Sequence, residues 1–257
     1  MSDKVPEGPR VGLFVTCLVD TMRPPIGFAA IALLEAAGCR VEVPRRQTCC
    51  GQPALNSGDR AGAVRVAQHT IELLASYPHV VVPSGSCAAT IRLHYPTLFD
   101  AGTAWHRRAT DLAERTHELL SYLVDVRQWL PAGVALNARA TYHDSCSGLR
   151  ELGIAAQPRR LLAAVAGLSL ARLEGADTCC GFGGTFCVKY PAISDAIVSE
   201  KAQAIEATGA DLLLGGDLGC LMNMAGKLHR RGAAVRAFHT AEVLAGMADG
   251  PAIGDGA

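Results

Sequence analysis

Two cysteine doublets are the residues of this sequence whose type and spacing most clearly indicate chemistry. The chain reads Thr-Cys-Cys-Gly at residues 48–51 and again at residues 178–181, 130 positions later. In each half, 31 or 32 residues separate another cysteine from the doublet that follows it, and 36 or 39 residues separate the doublet from a fourth cysteine. Eight of the ten cysteines thus follow one repeated pattern, which indicates a duplicated architecture. They are Cys17, Cys49, Cys50 and Cys87 in the first half, and Cys146, Cys179, Cys180 and Cys220 in the second.

Four thiolates gathered in one place favour zinc or an iron–sulfur cluster, because sulfur is a soft ligand. Structural zinc sites usually have a short spacer between paired cysteines, and both sulfurs then converge on one ion. The doublets here have no spacer, and consecutive side chains point apart in regular structure. Gly51 and Gly181 allow a sharp turn that brings amide groups toward the sulfurs. The spacing favours an iron–sulfur cluster, and zinc stays open as the alternative.

The elements that must position these cysteines alternate between strands and helices. Short apolar runs predict strands that end just before the repeated cysteines, and helical patterns separate them. This order predicts an α/β fold of two tandem, pseudo-symmetric repeats, each a mostly parallel sheet flanked by helices. The cysteines then lie at the carboxyl ends of the strands, where open sheets bind ligands. The predicted strands are 11–16, 39–43, 80–82, 140–143, 168–173, 212–214 and 234–238; the predicted helices are 25–37, 59–77, 158–165, 192–207 and 240–247.

The repeat also suggests a domain organisation. Residues 1–96 form the first repeat, residues 97–137 form a helical insertion or connector, and residues 138–257 form the second repeat. Asp59 is the expected N-cap of a helix in the first repeat.

Three other residues could take part in chemistry. Cys39 lies in an apolar strand outside the repeat and is best interpreted as a small buried hydrophobe. Cys187 lies seven residues after Cys180 and is either a fifth ligand or a bystander near the second site. His143 precedes Cys146 by three residues and could serve as the base of a nucleophilic thiol. A histidine at a strand end is more often a packing or surface residue, so we give that interpretation little weight.

Composition narrows the class of protein. The chain has 257 residues, is 49% hydrophobic and has a positive mean hydropathy, which is typical of a globular protein. Basic and acidic residues both number 24, and no basic stripe indicates nucleic-acid binding. No secretory signal and no apolar run of about 18 residues is visible. We therefore expect a cytoplasmic protein whose reduced thiols are metal ligands or redox groups.

The arrangement of cysteines resembles the cysteine-rich CCG domain. That domain occurs in pairs in one of the subunits of heterodisulfide reductase and in the iron–sulfur subunit of glycolate oxidase. The sequence around the cysteines is similar to one branch, the lactate utilisation protein A family, over roughly residues 11–248. The similar stretches are QTCCGQPALNSG, VVPSGSCAATIRLHYP, TYHDSCSGLRELGI, CCGFGGTF and DLGCLMN.

The resemblance implies an iron–sulfur electron-transfer subunit of a complex that oxidises L-lactate to pyruvate without a nicotinamide cofactor. It implies one or two clusters of the [4Fe–4S] type, a ferredoxin-type iron–sulfur subunit and other lactate-utilisation proteins as partners. In the disulfide-reducing relatives, the CCG cysteines hold non-cubane [4Fe–4S] clusters. A thiol–disulfide reductase and a zinc-stabilised, non-redox interaction module are the alternatives.

Carried over residue by residue, the resemblance assigns the first four repeated cysteines to one metal site and the last four to another. Relatives end each repeat in C-x-x-C, but Ser84 and Asp217 occupy the first of those positions here. Each site therefore has one thiolate fewer than a non-cubane cluster uses. An ordinary cubane, or one occupied site beside a zinc or empty site, are the open options. Ser147 also occupies a position where the resemblance leads us to expect a histidine.

Overall fold

Each half of the chain folds around its own four-stranded, all-parallel sheet. The structure, a computed structural model, describes residues 8–255 and separates into two units, Met1–Trp129 and Leu130–Ala257. Both sheets have the same order, in which the first strand of the unit pairs with the second and the third, and the third pairs with the fourth. The α/β class and the tandem repeat predicted from the sequence are confirmed.

The first sheet has the order β2-β1-β3-β4. Its central strands, β1 and β3, are short apolar runs that are almost wholly buried, as parallel strands covered by helices require. The strands are β1 (Arg10–Leu13), β2 (Arg40–Glu42), β3 (His79–Val82) and β4 (Thr116–Glu118).

Seven α-helices belong to the described part of the first unit. The Asp59 carboxylate accepts a hydrogen bond from the Gly62 amide at 2.8 Å, so the predicted N-cap is confirmed. Two prolines open α2, where a missing amide hydrogen costs nothing. The helices are α1 (Cys17–Met22), α2 (Pro24–Ala36), α3 (Gln52–Asn56), α4 (Arg60–Leu74), α5 (Gly85–Ala89), α6 (Ala104–Glu114) and α7 (Leu119–Ser121). Single π-helical turns continue α5 through Thr90–His94 and α7 through Tyr122–Val126, and Pro96–Leu98 is a 3-10 turn.

The stretch 97–137, for which the sequence predicts a helical connector, contains helices but also a strand. Strand β4 pairs in parallel with β3, with Val81 opposite His117. Its outer residues, Thr116 and Glu118, are buried although both are polar. The first sheet therefore extends beyond residue 96.

The second sheet has the order β6-β5-β7-β8. The strands are β5 (Ala135–His143), β6 (Ala166–Ala171), β7 (Leu212–Gly215) and β8 (Arg236–His239). The helices are α8 (Ala156–Ala163), α9 (Phe186–Lys189), α10 (Pro191–Ala207), α11 (Leu218–Arg230) and α12 (Thr240–Leu244), and Ser147–Glu151 is a π-helical turn. Within residues 8–255, no helix combines the length and the apolar character that crossing a membrane requires.

Candidate metal centres

The first quartet comprises Cys17, Cys49, Cys50 and Cys87. Cys17 begins α1 after β1, the doublet lies between β2 and α3, and Cys87 lies in α5 after β3. Because β2, β1 and β3 are adjacent and parallel, the segments that follow them share one edge of the sheet. The Sγ atoms of Cys50 and Cys87 are 3.2 Å apart, and thiol hydrogen bonds link Cys49 to both Cys17 and Cys50. The structure thus brings the four sulfurs together.

Hydrogen bonds favour the thiolate form of Cys49. The thiols of Cys17 and Cys50 and the amide of Gly51 all donate to its sulfur, and they lower the pKa of Cys49 to about 3. The same bonds raise the pKa of Cys17 and of Cys50, because a thiol that ionises can no longer donate, and burial raises both further. A thiolate is the form of cysteine that binds metal.

The second quartet comprises Cys146, Cys179, Cys180 and Cys220. Cys146 follows β5, the doublet follows β6, and Cys220 is the third residue of α11, after β7. Thiol hydrogen bonds link Cys146 to Cys179, Cys179 to Cys180, and Cys180 to Cys220. The strands involved again lie side by side, so the second unit repeats the arrangement of the first.

The charge distribution of the second quartet also resembles that of the first. Hydrogen bonds from Cys146 and Cys180, with the amide of Gly181, lower the pKa of Cys179 to about 2. Donating these bonds raises the pKa of Cys146 and of Cys180, and burial adds to both. In both units the first cysteine of the doublet is therefore the one that its neighbours stabilise as a thiolate.

The glycine that closes each doublet has a backbone conformation that L side chains rarely adopt. Gly51 has a φ of 85° and Gly181 a φ of 84°. This turn directs each amide back to the doublet, where it donates to Cys49 Sγ at 3.4 Å and to Cys179 Sγ at 3.3 Å. The Ser194 hydroxyl holds the second turn by donating to the Gly181 carbonyl at 2.8 Å. Amide hydrogens that face a sulfur stabilise its negative charge.

A side chain also binds the backbone carbonyl of the second cysteine of each doublet. The hydroxyl of Tyr95, a fully buried residue, donates to the Cys50 carbonyl at 2.8 Å. Asn223 of α11 donates to the Cys180 carbonyl, also at 2.8 Å. The sequence analysis identified neither residue. Both follow the last cysteine of their quartet, on the helical segment that contains it.

The loop before each doublet is fixed by a different residue in each unit. In the first, the Gln47 amide group accepts a hydrogen bond from Val15 N and donates to Leu13 O, both at 2.8 Å. In the second, the buried Lys201 ammonium donates to the carbonyls of Gly175 and Ala176, at 2.5 and 3.0 Å. Burial lowers the pKa of Lys201.

An ion pair holds the segment that leads to Cys146. The Arg159 guanidinium binds both carboxylate oxygens of Asp144, at 2.8 and 2.7 Å. The Asp144 side chain is 7% exposed, whereas that of Arg159 is 43% exposed. Two parallel hydrogen bonds fix the direction of the carboxylate and therefore the turn from β5 into the second quartet.

His143 is not a surface residue; it lies beside the second quartet. It ends β5, is 1% exposed, and has a ring nitrogen that lies with Cys180 Sγ and Cys220 Sγ in a group whose members are all within 4.8 Å of one another. Burial and the nearby Lys201 ammonium lower the pKa of His143 to about 3. The imidazole is therefore neutral at physiological pH.

The other cysteines have different surroundings. Cys39 is fully buried, as expected for a small hydrophobe, and burial raises its pKa. Cys187 lies in α9, where its thiol has a weak contact of 3.6 Å with the Gly184 carbonyl. The expectation that Cys187 is a bystander near the second site, with a fifth ligand as the alternative, stays a prediction.

Ser84 and Asp217, the two positions where the resemblance predicts a further cysteine, precede the helices of Cys87 and Cys220. Ser84 is buried and its hydroxyl accepts a hydrogen bond from the Cys87 amide at 3.4 Å. Asp217 is buried just before α11. Ser147 begins the π-helical turn that follows Cys146.

A cavity of about 340 Å³ lies beside the first quartet. Cys17 and Cys49 line it, together with Asp20 and the consecutive side chains of Arg45 and Arg46. Two residues of the quartet therefore border a space large enough for a small organic molecule.

The donor set of each quartet fits a soft metal. Four sulfurs converge, one of them is a stabilised thiolate, and a glycine amide faces it. Hard cations such as calcium or magnesium prefer oxygen ligands, so these sites do not suit them. Iron in a cluster and zinc both accept such a donor set.

The fold and the two quartets define a protein of two tandem CCG domains, and comparison with known sequences agrees. The CCG family, described as a cysteine-rich domain, matches residues 11–92 and 140–225. Lactate utilization protein A of Shouchella clausii (strain KSM-K16) is 49% identical over 235 residues, which cover 91% of this chain and 98% of the relative. The proteins of that name from Halalkalibacterium halodurans and Bacillus subtilis (strain 168) are 47% and 45% identical; each alignment covers 91% of this chain, with 96% and 98% of the relative. The chain belongs to the lactate utilization protein A family.

Proposed function

We propose that this chain is the iron–sulfur electron-transfer subunit of a complex that oxidises L-lactate to pyruvate without a nicotinamide cofactor. One observation carries the proposal: a chain of the lactate utilization protein A family gathers a cysteine quartet in each of its two units. When bound, an iron–sulfur cluster takes up and releases single electrons. The proposed ligands are Cys17, Cys49, Cys50 and Cys87 at one site and Cys146, Cys179, Cys180 and Cys220 at the other.

The chain's own residues would bind the cluster and tune its reduction potential. Cys49 and Cys179 supply thiolates that are already stabilised before metal binds. The amides of Gly51 and Gly181 donate to those sulfurs, which favours the more reduced, more negative state and raises the potential. Because Tyr95 holds one doublet through its backbone, the positions of these sulfurs do not depend on the metal alone.

Oxidation of lactate to pyruvate releases two electrons and two protons. We place the hydroxy-acid chemistry on partner proteins, and we propose a ferredoxin-type iron–sulfur subunit and other lactate-utilisation proteins as those partners. The proposed compartment is the cytoplasm, where thiols stay reduced.

Metal analysis of protein purified and reconstituted without oxygen tests the cofactor. We expect iron and acid-labile sulfide, absorption near about 400 nm and an EPR signal after reduction. Cys49→Ser should lower the iron content, whereas Cys39→Ala, outside the quartets, should leave it unchanged. Zinc without iron in the wild-type protein would contradict the proposal and favour a zinc-stabilised module that unfolds with chelator.

Growth on lactate tests the pathway. In Bacillus subtilis that lacks its own lactate utilization protein A, this chain should restore growth on L-lactate, and the Cys49→Ser variant should not. Failure of the wild-type chain, although it is expressed and loaded with iron, would contradict the role in lactate oxidation.

The cavity beside Cys17 and Cys49 favours a second candidate function, a thiol–disulfide reductase. Reduction of a disulfide consumes two electrons and two protons and yields two thiols, so a chemical reductant must be supplied. The isolated, iron-loaded chain with reduced viologen should then turn over a low-molecular-weight disulfide. Absence of turnover leaves electron transfer as the function.

A further inference from the structure

The buried histidine beside the second quartet has no role in the proposed function. Neither ring nitrogen of His143 makes a hydrogen bond of normal geometry with any of the described residues, and its one polar interaction, with the backbone of Ala176, lies outside that geometry. One of those nitrogens lies within 4.8 Å of the sulfurs of Cys180 and Cys220, which are within the same distance of each other. Buried polar atoms are normally hydrogen-bonded, so an imidazole that has only a poorly aligned backbone partner and lies beside two thiols indicates a missing ligand.

Nearby groups do not offer the histidine another role. The Lys201 ammonium lies nearby and affects the ring electrostatically, but it donates its hydrogen bonds to the backbone carbonyls of Gly175 and Ala176. If His143 were only a packing residue, at least one polar nitrogen would be buried without compensation, which an apolar side chain would avoid.

In the first unit, the position that corresponds to His143 is occupied by an apolar packing residue. Phe14 precedes Cys17 by three residues, as His143 precedes Cys146, and Phe14 is fully buried after β1. The two units therefore agree in their cysteines but differ at the residue that ends the central strand. The side chain at this place is an aromatic hydrocarbon in one unit and an imidazole in the other.

From this geometry we propose that His143 is a ligand of the metal or cluster bound by the second quartet. The inference rests on the proposed function only in that the quartets bind a soft metal. The second site then combines imidazole with thiolates, whereas the first uses thiolates without a histidine. Imidazole suits both iron and zinc, so the assignment does not depend on which of the two is bound.

The difference in ligands has a measurable electronic consequence. If His143 binds in place of one of the four thiolates of the second quartet, the metal there receives less negative charge, and exchanging cysteine for histidine ligands raises the reduction potential of iron–sulfur centres. The two sites of one chain should therefore be reduced at separate potentials, the second site first.

Pulsed EPR and redox titration of the full chain, reconstituted with iron and sulfide, test the assignment. The wild-type protein should show the strong nitrogen coupling of a bound imidazole, and His143→Phe, which introduces the first unit's residue, should lose it. His229→Phe makes the same substitution at an exposed histidine of α11 and should keep the coupling. Where His143→Phe loses the second site's iron altogether, His143→Cys should restore the iron content without the coupling and at a lower potential.

The outcomes separate this inference from the proposed function. Iron-loaded His143→Phe with the wild-type nitrogen coupling and potentials would overturn the assignment and leave the electron-transfer proposal intact. If the protein takes up zinc instead, cobalt substitution provides the readout, because loss of a nitrogen ligand shifts the cobalt absorption spectrum in His143→Phe and not in His229→Phe. A wild-type chain that binds neither metal would overturn both proposals.

Discussion

The Tyr95 hydroxyl donates a hydrogen bond to the Cys50 carbonyl at 2.8 Å, and Asn223 makes the corresponding bond to Cys180 at the same distance. A phenol hydroxyl in one unit and a side-chain amide in the other thus bind the carbonyl of the second cysteine of the doublet. Both bonds join the helical segment after the last cysteine of a quartet to the backbone of the doublet, so two of the three sulfur-bearing segments are fixed to each other.

Tyr95→Phe should therefore loosen the first quartet without changing the packing of the ring. The Cys50 carbonyl would stay buried with its hydrogen bond removed, which costs about 1–2 kcal/mol of the free energy of unfolding. Urea denaturation measures that loss, and iron analysis should show weaker retention at the first site. Tyr190→Phe, at a tyrosine that is 55% exposed, is the matched control and should change neither quantity. Equal effects of the two variants would show that the bond does not position the doublet.

The glycines that close the doublets should tolerate alanine poorly, and to different degrees. A Cβ at Gly181 would lie 2.8 Å from the Ser194 carbonyl oxygen, whereas one at Gly51 would lie 3.3 Å from a Val66 methyl group. In both variants, alanine would also have to adopt the left-handed backbone conformation, which costs about 1–2 kcal/mol of the free energy of unfolding.

Gly58 separates these two contributions, because it has a φ of 78° and nothing within 4 Å of an added Cβ. We expect the loss in the free energy of unfolding to rank Gly181→Ala above Gly51→Ala, and Gly51→Ala above Gly58→Ala. A ranking in which Gly58→Ala costs as much as Gly181→Ala would mean that crowding at the second turn is unimportant.

Alkylation of metal-free protein should show the two stabilised thiolates. A thiol with an ordinary pKa of about 8.5 becomes roughly tenfold less reactive for each pH unit below that value, because only the thiolate reacts. The pKa values of Cys49 and Cys179 are lowered to about 3 and about 2, so both stay ionised at pH 5. Peptide mapping after iodoacetamide treatment at about pH 5 should find these two modified first, with buried Cys39 unmodified. If Cys49 and Cys179 are alkylated as slowly at that pH as the other cysteines, the assignment of the thiolate charge to these two residues is wrong.

Arg159→Lys should weaken the second site specifically. Lysine cannot replace the two parallel bonds to Asp144, and we expect a loss of about 1 kcal/mol together with reduced metal retention. Arg231→Lys disrupts another bidentate pair of the same unit, with Glu206, which does not adjoin a cysteine. It should affect stability to a similar degree and leave metal content unchanged. Metal loss in both variants would indicate a general loss of stability instead of a local effect on the site.

Much of the fold could be predicted from the sequence because buried parallel strands have a simple signal. The apolar runs of β1, β3 and β7 are short and end just before the cysteines, so the convergence at the sheet edge follows from strand order. Strand β4 escaped prediction because its residues are Thr116, His117 and Glu118. Its burial comes from pairing with β3, and no local pattern indicates it.

The hydrogen bonds that hold the backbone of each doublet could not be predicted in the same way. Tyr95 meets Cys50 across 45 residues of sequence, and Asn223 meets Cys180 across 43. Such pairs depend on how a helix packs after its strand, which spacing alone does not determine. His143 did carry a signal, since it occupies the position of Phe14 relative to the repeated cysteines. Only the fold shows that its ring is buried next to the second doublet.

Each quartet is drawn wholly from helices and loops of its own unit, and this has a consequence for how the protein would lose metal. Oxidation or mutation of one set of thiols removes no ligand from the other, so a half-loaded molecule should be a distinct species and not a random mixture. If the proposed iron–sulfur clusters are present, an oxygen-exposed preparation should lose iron in two separable stages, each with its own rate, and the spectra of variants that lack one quartet would assign each stage to one unit.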